Sequence, residues 1–280
     1  MKVVATTTQL GDFVRAIGGE RVQVVQMLRP NSDPHEYEPR PDDVRALLDA
    51  PLVFESGDGL DAWMGEIVAA SGGHPRVIAL AASNVTRVPG VRSGPEASSY
   101  DPHWWHDPRN VEAAIPVIRD ALSAENPSAA TVYARNARGY VGRLRRLDAG
   151  IAACMRRVPA ARRKLVTDHD AFGYFARRYG IDVIGAVIPS QTTQAQPSAG
   201  DVAQLVETIR REHVHAVFPE SSVNPKLANA IAAETGASAD YTLYGDTLGP
   251  AGSDGATYLG MERHNADAIV RGFTAGRRGC

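Results

Sequence analysis

From Pro127 to Arg157 the chain carries Val132, Ala137, Tyr140, Leu144, Leu147 and Ile151 at helical spacing, with arginines on the other faces. Unbroken, this stretch makes a helix of about 45 Å at about 1.5 Å per residue, long enough to cross from one lobe of a molecule to another. Gly139 and Gly142 weaken it, each by about 1 kcal/mol relative to Ala. On both sides of it, short β-branched runs alternate with longer amphipathic ones, the pattern of α/β units. Strands are expected at Val3 to Thr8, Val22 to Leu28, Leu52 to Glu55 and Arg76 to Leu80, with helices at Leu10 to Ile17, Pro41 to Asp49 and Ala62 to Ala70. Beyond the long helix, strands are expected at Lys164 to Thr167, Val183 to Ile188, Ala216 to Pro219 and Ala239 to Leu243. Helices there are expected at His169 to Tyr179, Ala199 to Glu212, Pro225 to Thr235 and Thr257 to Thr274. The division is therefore an N-terminal α/β lobe over 1–126, a linking helix over 127–157 and a C-terminal α/β lobe over 158–280.

A chain of 280 residues is long enough for two such lobes, and its 44% hydrophobic content can supply a packed core to each. Thirty Lys and Arg against 32 Asp and Glu leave a net charge of −2, which gives no electrostatic reason to bind nucleic acid or an anionic membrane surface. The basic clusters at Arg143 to Arg146 and Arg156 to Lys164 fall on a helical pattern and read as solvated faces. No apolar run reaches the roughly 18 residues that span a bilayer, and no charged-then-apolar leader opens the chain. Ser83 to Tyr100, rich in Gly, Pro and Ser, reads as a surface loop. Cys154 and Cys280 lack metal or redox spacing, which leaves open one disulfide or two free thiols.

Four positions put a good metal ligand in a turn or at an element end, where open α/β sheets present binding groups. They are His35 in Asp33-Pro34-His35, His103 in Asp101-Pro102-His103, His169 in Thr167-Asp168-His169-Asp170, and Asp246 in Tyr244-Gly245-Asp246-Thr247. Singly, each histidine reads as a surface or hydrogen-bonded structural residue, and each Asp-Pro turn as a helix start. Together, two from each half, they can meet in a cleft between lobes. Three imidazoles and one carboxylate form a donor set of borderline softness, suited to Zn2+ and acceptable to Mn2+.

The strings Asp33 to Val44, Asp101-Pro102-His103-Trp104-Trp105 with Asp107-Pro108, and His169 to Phe175 resemble the metal-binding periplasmic solute-binding proteins of zinc and manganese ABC importers. Val217 to Ser222 with Asn224-Pro225-Lys226, and Leu243 to Gly249, extend the resemblance nearly end to end. It implies two α/β lobes joined by one long rigid helix, an ion at their interface, and His35, His103, His169 and Asp246 as its ligands. Glu220 matches the family's nearby acidic position, where it would orient a histidine; read alone, it is a strand-end carboxylate suited to a salt bridge. Also implied are an ABC permease with its ATPase, a location outside the cytoplasmic membrane reached through a leader absent from this chain, and membrane contact only through the permease or an N-terminal lipid anchor. A metal-loading chaperone is a further candidate partner, and a monomer is the expected state.

Two departures bear on the site. Family members usually carry an aliphatic residue where His106 stands, so this histidine either joins the site or points to solvent. Zinc-selective relatives often have a histidine-rich loop where Ser83 to Tyr100 has no histidine, whereas His169 stands where manganese-selective relatives often have a carboxylate. Ligand chemistry is weighed above the loop, which favours zinc. Four protein ligands fill a tetrahedral shell, unlike a catalytic zinc, which keeps one position open. His-Glu-x-x-His, Gly-x-Ser-x-Gly and Gly-x-Gly-x-x-Gly are all missing from the sequence. A zinc-dependent hydrolase, with water in place of Asp246 and Glu220 as base, is the alternative from another class.

Overall fold

The computed structural model describes residues 1–83, 85–91 and 97–280, so the expected loop from Ser83 to Tyr100 falls partly outside the described residues, at Asn84 and 92–96. Four short strands, β1 (Lys2–Ala5), β2 (Gln23–Gln26), β3 (Leu52–Glu55) and β4 (Arg76–Ala79), form an all-parallel sheet in the order β2-β1-β3-β4. Its central strands are continuously apolar, and Val3, Val4, Leu52, Val53 and Phe54 are fully buried, as expected of a parallel sheet covered on both faces. Helices α1 (Thr8–Gly18), α2 (Pro41–Leu47) and α3 (Met64–Ser71) connect these strands. The expected first strand stops early because the Thr7 side chain accepts the Leu10 N–H and so caps α1.

Helix α4 (Pro108–Glu125) is an element that the sequence pattern does not lead one to expect. Val111, Ala114, Ile115, Ile118, Ala121 and Leu122 give it a buried apolar face, with Asp107 as N-cap and Pro108 in the first turn. Pro116 in its interior, which removes a hydrogen-bond donor, obscures that pattern. The long helix α5 (Ala130–Arg156) follows a 3-10 turn at Pro127–Ala129 and buries Tyr133, Ala137, Tyr140, Leu144, Leu147 and Ile151.

In the second half, β5 (Lys164–His169) and β6 (Asp182–Ile188) pair in parallel, separated by α6 (Gly173–Tyr179). Helix α6 begins later than expected because His169 completes β5. Helices α7 (Ala199–Glu212), α8 (Lys226–Thr235) and α9 (Tyr258–Phe273) follow. The strands expected at Ala216 to Pro219 and Ala239 to Leu243 are reduced to isolated parallel bridges, Thr167 with Phe218, Ala216 with Ser238 and Glu220 with Leu243. Pro219 sits in this stretch and has no N–H to give a ladder.

The core does not divide at α5. Its largest apolar cluster runs from Val3, Phe13 and Phe54 through Tyr140, Leu144 and Leu147 to Phe175, Tyr258 and Phe273. Each half adds a smaller cluster of its own, around Val4, Leu47 and Ile67 in the first and around Val166, Leu205 and Ile231 in the second. Helix α5 packs on α1, α4 and α9, so residues from both halves share its faces. Cys154 in α5 is disulfide-bonded to Cys280, 126 positions away. No helix among the described residues is long and apolar enough to cross a membrane.

Candidate metal centre

Parallel strands all present their carboxyl ends on one edge, and the loops that leave that edge carry the polar groups. His35 lies in the loop after β2, His103 in the loop after β4, His169 is the last residue of β5, and Asp246 follows the bridge at Leu243. One donor atom from each of the four lies within 4.8 Å of the other three. His103 Nε2 is 3.3 Å from Asp246 Oδ1, His169 Nε2 is 3.3 Å from Asp246 Oδ2, and His35 Nε2 is 3.5 Å from Asp246 Oδ2. The Nε2 atoms of His103 and His169 are also 3.3 Å apart. Donors placed tetrahedrally about 2.0–2.1 Å from a zinc ion would stand about 3.4 Å from one another, which the spacings to Asp246 and between His103 and His169 match.

Local contacts fix each group. Asp101 Oδ1 accepts the His103 backbone N–H at 3.0 Å and faces His103 Nδ1 at 2.7 Å, which leaves Nε2 for the centre. Glu220 Oε1 does the same for His169, meeting its backbone N at 3.1 Å and Nδ1 at 2.9 Å. Glu220 is held in turn by Asp168, whose carboxylate accepts the Glu220 N–H at 2.7 Å. Burial, reinforced by the Glu220 charge, pushes Asp168 up to about 7. Gly245 lets Glu220 approach: a Cβ there would stand 2.0 Å from Glu220 Oε2. Trp105 Nε1 donates to the Gly245 carbonyl at 3.2 Å, and the Leu248 N–H donates to Thr8 Oγ1 at 2.7 Å, so the Asp246 loop is tied to the first half.

Electrostatics favour a cation. Asp246 is buried and neither of its oxygens has a hydrogen-bond donor in good geometry, although three imidazole nitrogens stand at ion-pair distance. An uncompensated carboxylate in such a place is costly. Burial by itself would raise its pKa, but His169, His103 and His35 hold it well below the usual carboxylate range. Burial would likewise lower His103, yet Asp101 and Asp246 outweigh it and push the imidazole up to about 9. His169 is carried well above its ordinary value by Glu220 and Asp246, against the opposing effect of burial. Protons shared between carboxylates and imidazoles thus occupy the charge balance that a divalent ion can take over.

His106 belongs neither to this cluster nor to the surface. It is fully buried, stacks on Phe172 with ring centroids 4.4 Å apart, and meets Glu262 Oε1 through Nδ1 at 3.0 Å. The part Asp101 plays in holding the His103 ring goes beyond the helix start that its Asp-Pro turn suggests. The signal was its place two residues before His103, the spacing of a side chain that accepts a nearby backbone N–H.

A carboxylate and three imidazoles gathered where two parallel sheets end describe a cleft-type binding protein of the α/β class. The family described as ZnuA, zinc-uptake complex component A, periplasmic, matches residues 3–272, and the chain belongs to it. It is 30% identical over 282 residues to the manganese-binding lipoprotein MntA of Halalkalibacterium halodurans, covering 98% of this chain and 89% of that protein. It is 31% identical to the iron-binding protein YfeA of Yersinia pestis, over 97% of this chain and 86% of that one. The solved structure of the periplasmic zinc-binding protein TroA from Treponema pallidum superimposes with a TM-score of 0.89 at 31% identity, covering 97% of this chain and 98% of that one.

Proposed function

We propose that the protein is the extracytoplasmic substrate-binding component of an ABC-type metal importer, which captures one divalent transition-metal ion and delivers it to the permease. The observation that carries this reading is the buried Asp246 carboxylate, with no hydrogen-bond donor in good geometry, facing three imidazole nitrogens at 3.3 to 3.5 Å. His35, His103, His169 and Asp246 are the ligands, and Glu220 fixes the His169 ring, as carboxylates do for metal-bound histidines. Four protein donors leave a tetrahedral ion no open position for a reacting water, so the protein binds its ion without turning anything over. The working division is a lobe over 1–126, a linking helix over 127–157 and a lobe over 158–280.

Zinc is the preferred cargo, because three imidazoles are softer than the oxygen-rich sets that suit manganese. The zinc-binding name of TroA, 32% identical over 273 residues, agrees with that preference; the manganese-binding name of MntA supports Mn2+ as the second choice. The partners are an ABC permease and its ATPase, with a metal chaperone upstream, and the protein acts as a monomer. Elemental analysis of the purified protein, followed by competition between Zn2+ and Mn2+, tests the reading. One zinc per chain, held against excess manganese and removable by a chelator with the fold retained, is the expected result. Unfolding on chelation would instead make the ion structural.

A further inference from the structure

The four proposed ligands differ in how they are enclosed. The side chains of His103, His169 and Asp246 are fully buried, whereas that of His35 keeps 8% of its surface exposed. Outside His35 lies a cavity of about 370 Å3, lined among others by His35, Trp63, Gln191, Thr192 and Gln194. Of the four proposed ligands, His35 is the side chain that solvent reaches.

The turn that bears His35 is held from across the cleft. Asp33 Oδ1 accepts the His35 backbone N–H at 2.8 Å, and its other oxygen accepts the Thr193 hydroxyl at 2.6 Å. Gln194 Nε2 donates to the His35 carbonyl at 2.6 Å. Thr193 and Gln194 follow β6 and belong to the second half, in a segment tied to the His169 turn, where the Asp170 N–H donates to the Ser190 carbonyl at 2.9 Å. Further bonds stiffen that segment, from the Thr192 N–H to Ser190 Oγ and from the Gln194 N–H to Thr192 Oγ1, both at 3.2 Å. The position of His35 is thereby referred to the half of the molecule that carries His169 and Asp246.

From this geometry we propose that Thr193 and Gln194 are positioning residues that latch the His35 turn across the cleft and set how fast the bound ion leaves. The proposal rests on the carrier reading above. Neither residue offers a donor to the ion; both act through the backbone and carboxylate that place the His35 ring. Loosening them should speed dissociation while leaving encounter and the ligand count unaltered, because affinity changes at a fixed contact set fall mostly on the off-rate.

The test compares the wild-type chain, Thr193→Val/Gln194→Ala and Thr193→Ser, each loaded with Zn2+ and mixed rapidly with excess chelating dye. Release from the double variant is expected to be on the order of tenfold faster or more, as two lost hydrogen bonds allow. Association rate and one zinc per chain should match wild type, and the ion-free protein should stay folded with only a small fall in melting temperature. Thr193→Ser keeps the hydroxyl and should release at the wild-type rate. Equal release from all three chains overturns the proposal, as does acceleration in Thr193→Ser equal to that of the double variant. A fall in ion-free melting temperature that accounts for the faster release also overturns it. A wild-type chain that takes up no zinc removes the carrier reading itself, a failure visible before any variant is made.

Discussion

The two Asp-Pro-His turns share three residues and a first hydrogen bond, from the histidine N–H to the aspartate Oδ1, at 2.8 Å for His35 and 3.0 Å for His103. Beyond that bond they diverge. Asp101 also meets the ring of its histidine, and the turn continues into Trp104 and Trp105, both buried and hydrogen-bonded to Ser56 and Gly245. Asp33 gives its second oxygen to Thr193 instead, and the turn continues into exposed Glu36 and half-buried Tyr37. Identical local sequence fixes the backbone of a turn; neighbours in space decide whether its side chain is locked in the core or suspended at a rim.

Replacing the histidines probes this difference most strongly. His103→Ala and His35→Ala should each weaken zinc binding on the order of a hundredfold or more, read by competition titration against a dye of known affinity. Only His103→Ala should also destabilise the ion-free protein, by about 1–3 kcal/mol in chemical denaturation, because buried Asp101 loses its partner. Equal ion-free stabilities would erase the distinction between locked and suspended turns. Next in size is Asp101→Ala, which frees the His103 ring and should lower affinity about 10–100-fold at unchanged stoichiometry, measurable by titration calorimetry.

The His103 turn is also sensitive to acidity. His103 is raised from 6.5 to about 9, so its imidazolium stabilises the ion-free fold fully below pH 6.5, and that contribution is lost as pH rises through 9. Zinc needs the neutral ring. Affinity should therefore fall as pH drops below 9, by up to about tenfold per pH unit for each proton displaced. The gain in melting temperature on adding zinc should be larger at pH 8 than at pH 6; a gain independent of pH would deny that the ion replaces protons. Smaller still is Gly245→Ala, whose Cβ would meet Glu220 and disturb the His169 ring, with an expected loss of about tenfold or less in affinity. His103 should be insulated from that change, as its own carboxylate is Asp101.

Much of this arrangement is legible along the chain, for physical reasons. The central strands of the first sheet show apolar runs because both of their faces are covered, the edge strands β2 and β4 less so, and the long helix shows its buried stripe at regular spacing. All four residues named as ligands come together, because donors at strand ends share one edge of a parallel sheet. The second sheet is harder to read: Pro219 breaks its ladder into single bridges while the β-branched composition persists. Helix α4 is obscured by Pro116, and Gly139 and Gly142 leave α5 unbroken because its face is held by tertiary packing. Thr193 and Gln194 carry no local signal, since their partners Asp33 and His35 lie about 160 positions earlier in the chain. The burial of His106 against Glu262 depends equally on a helix far along the chain.

The shared core has a mechanical consequence. Since the largest apolar cluster passes from one half through α5 to the other, spreading the halves like a bivalve shell would tear that cluster open and wet it. Filling and emptying the centre must therefore leave the outline of the molecule nearly constant, and small-angle scattering curves recorded with and without zinc should superimpose. A permease that distinguishes full from empty carriers would then have to sense a few ångströms of rim, and the stiffness of the body beneath it is what makes so small a signal readable.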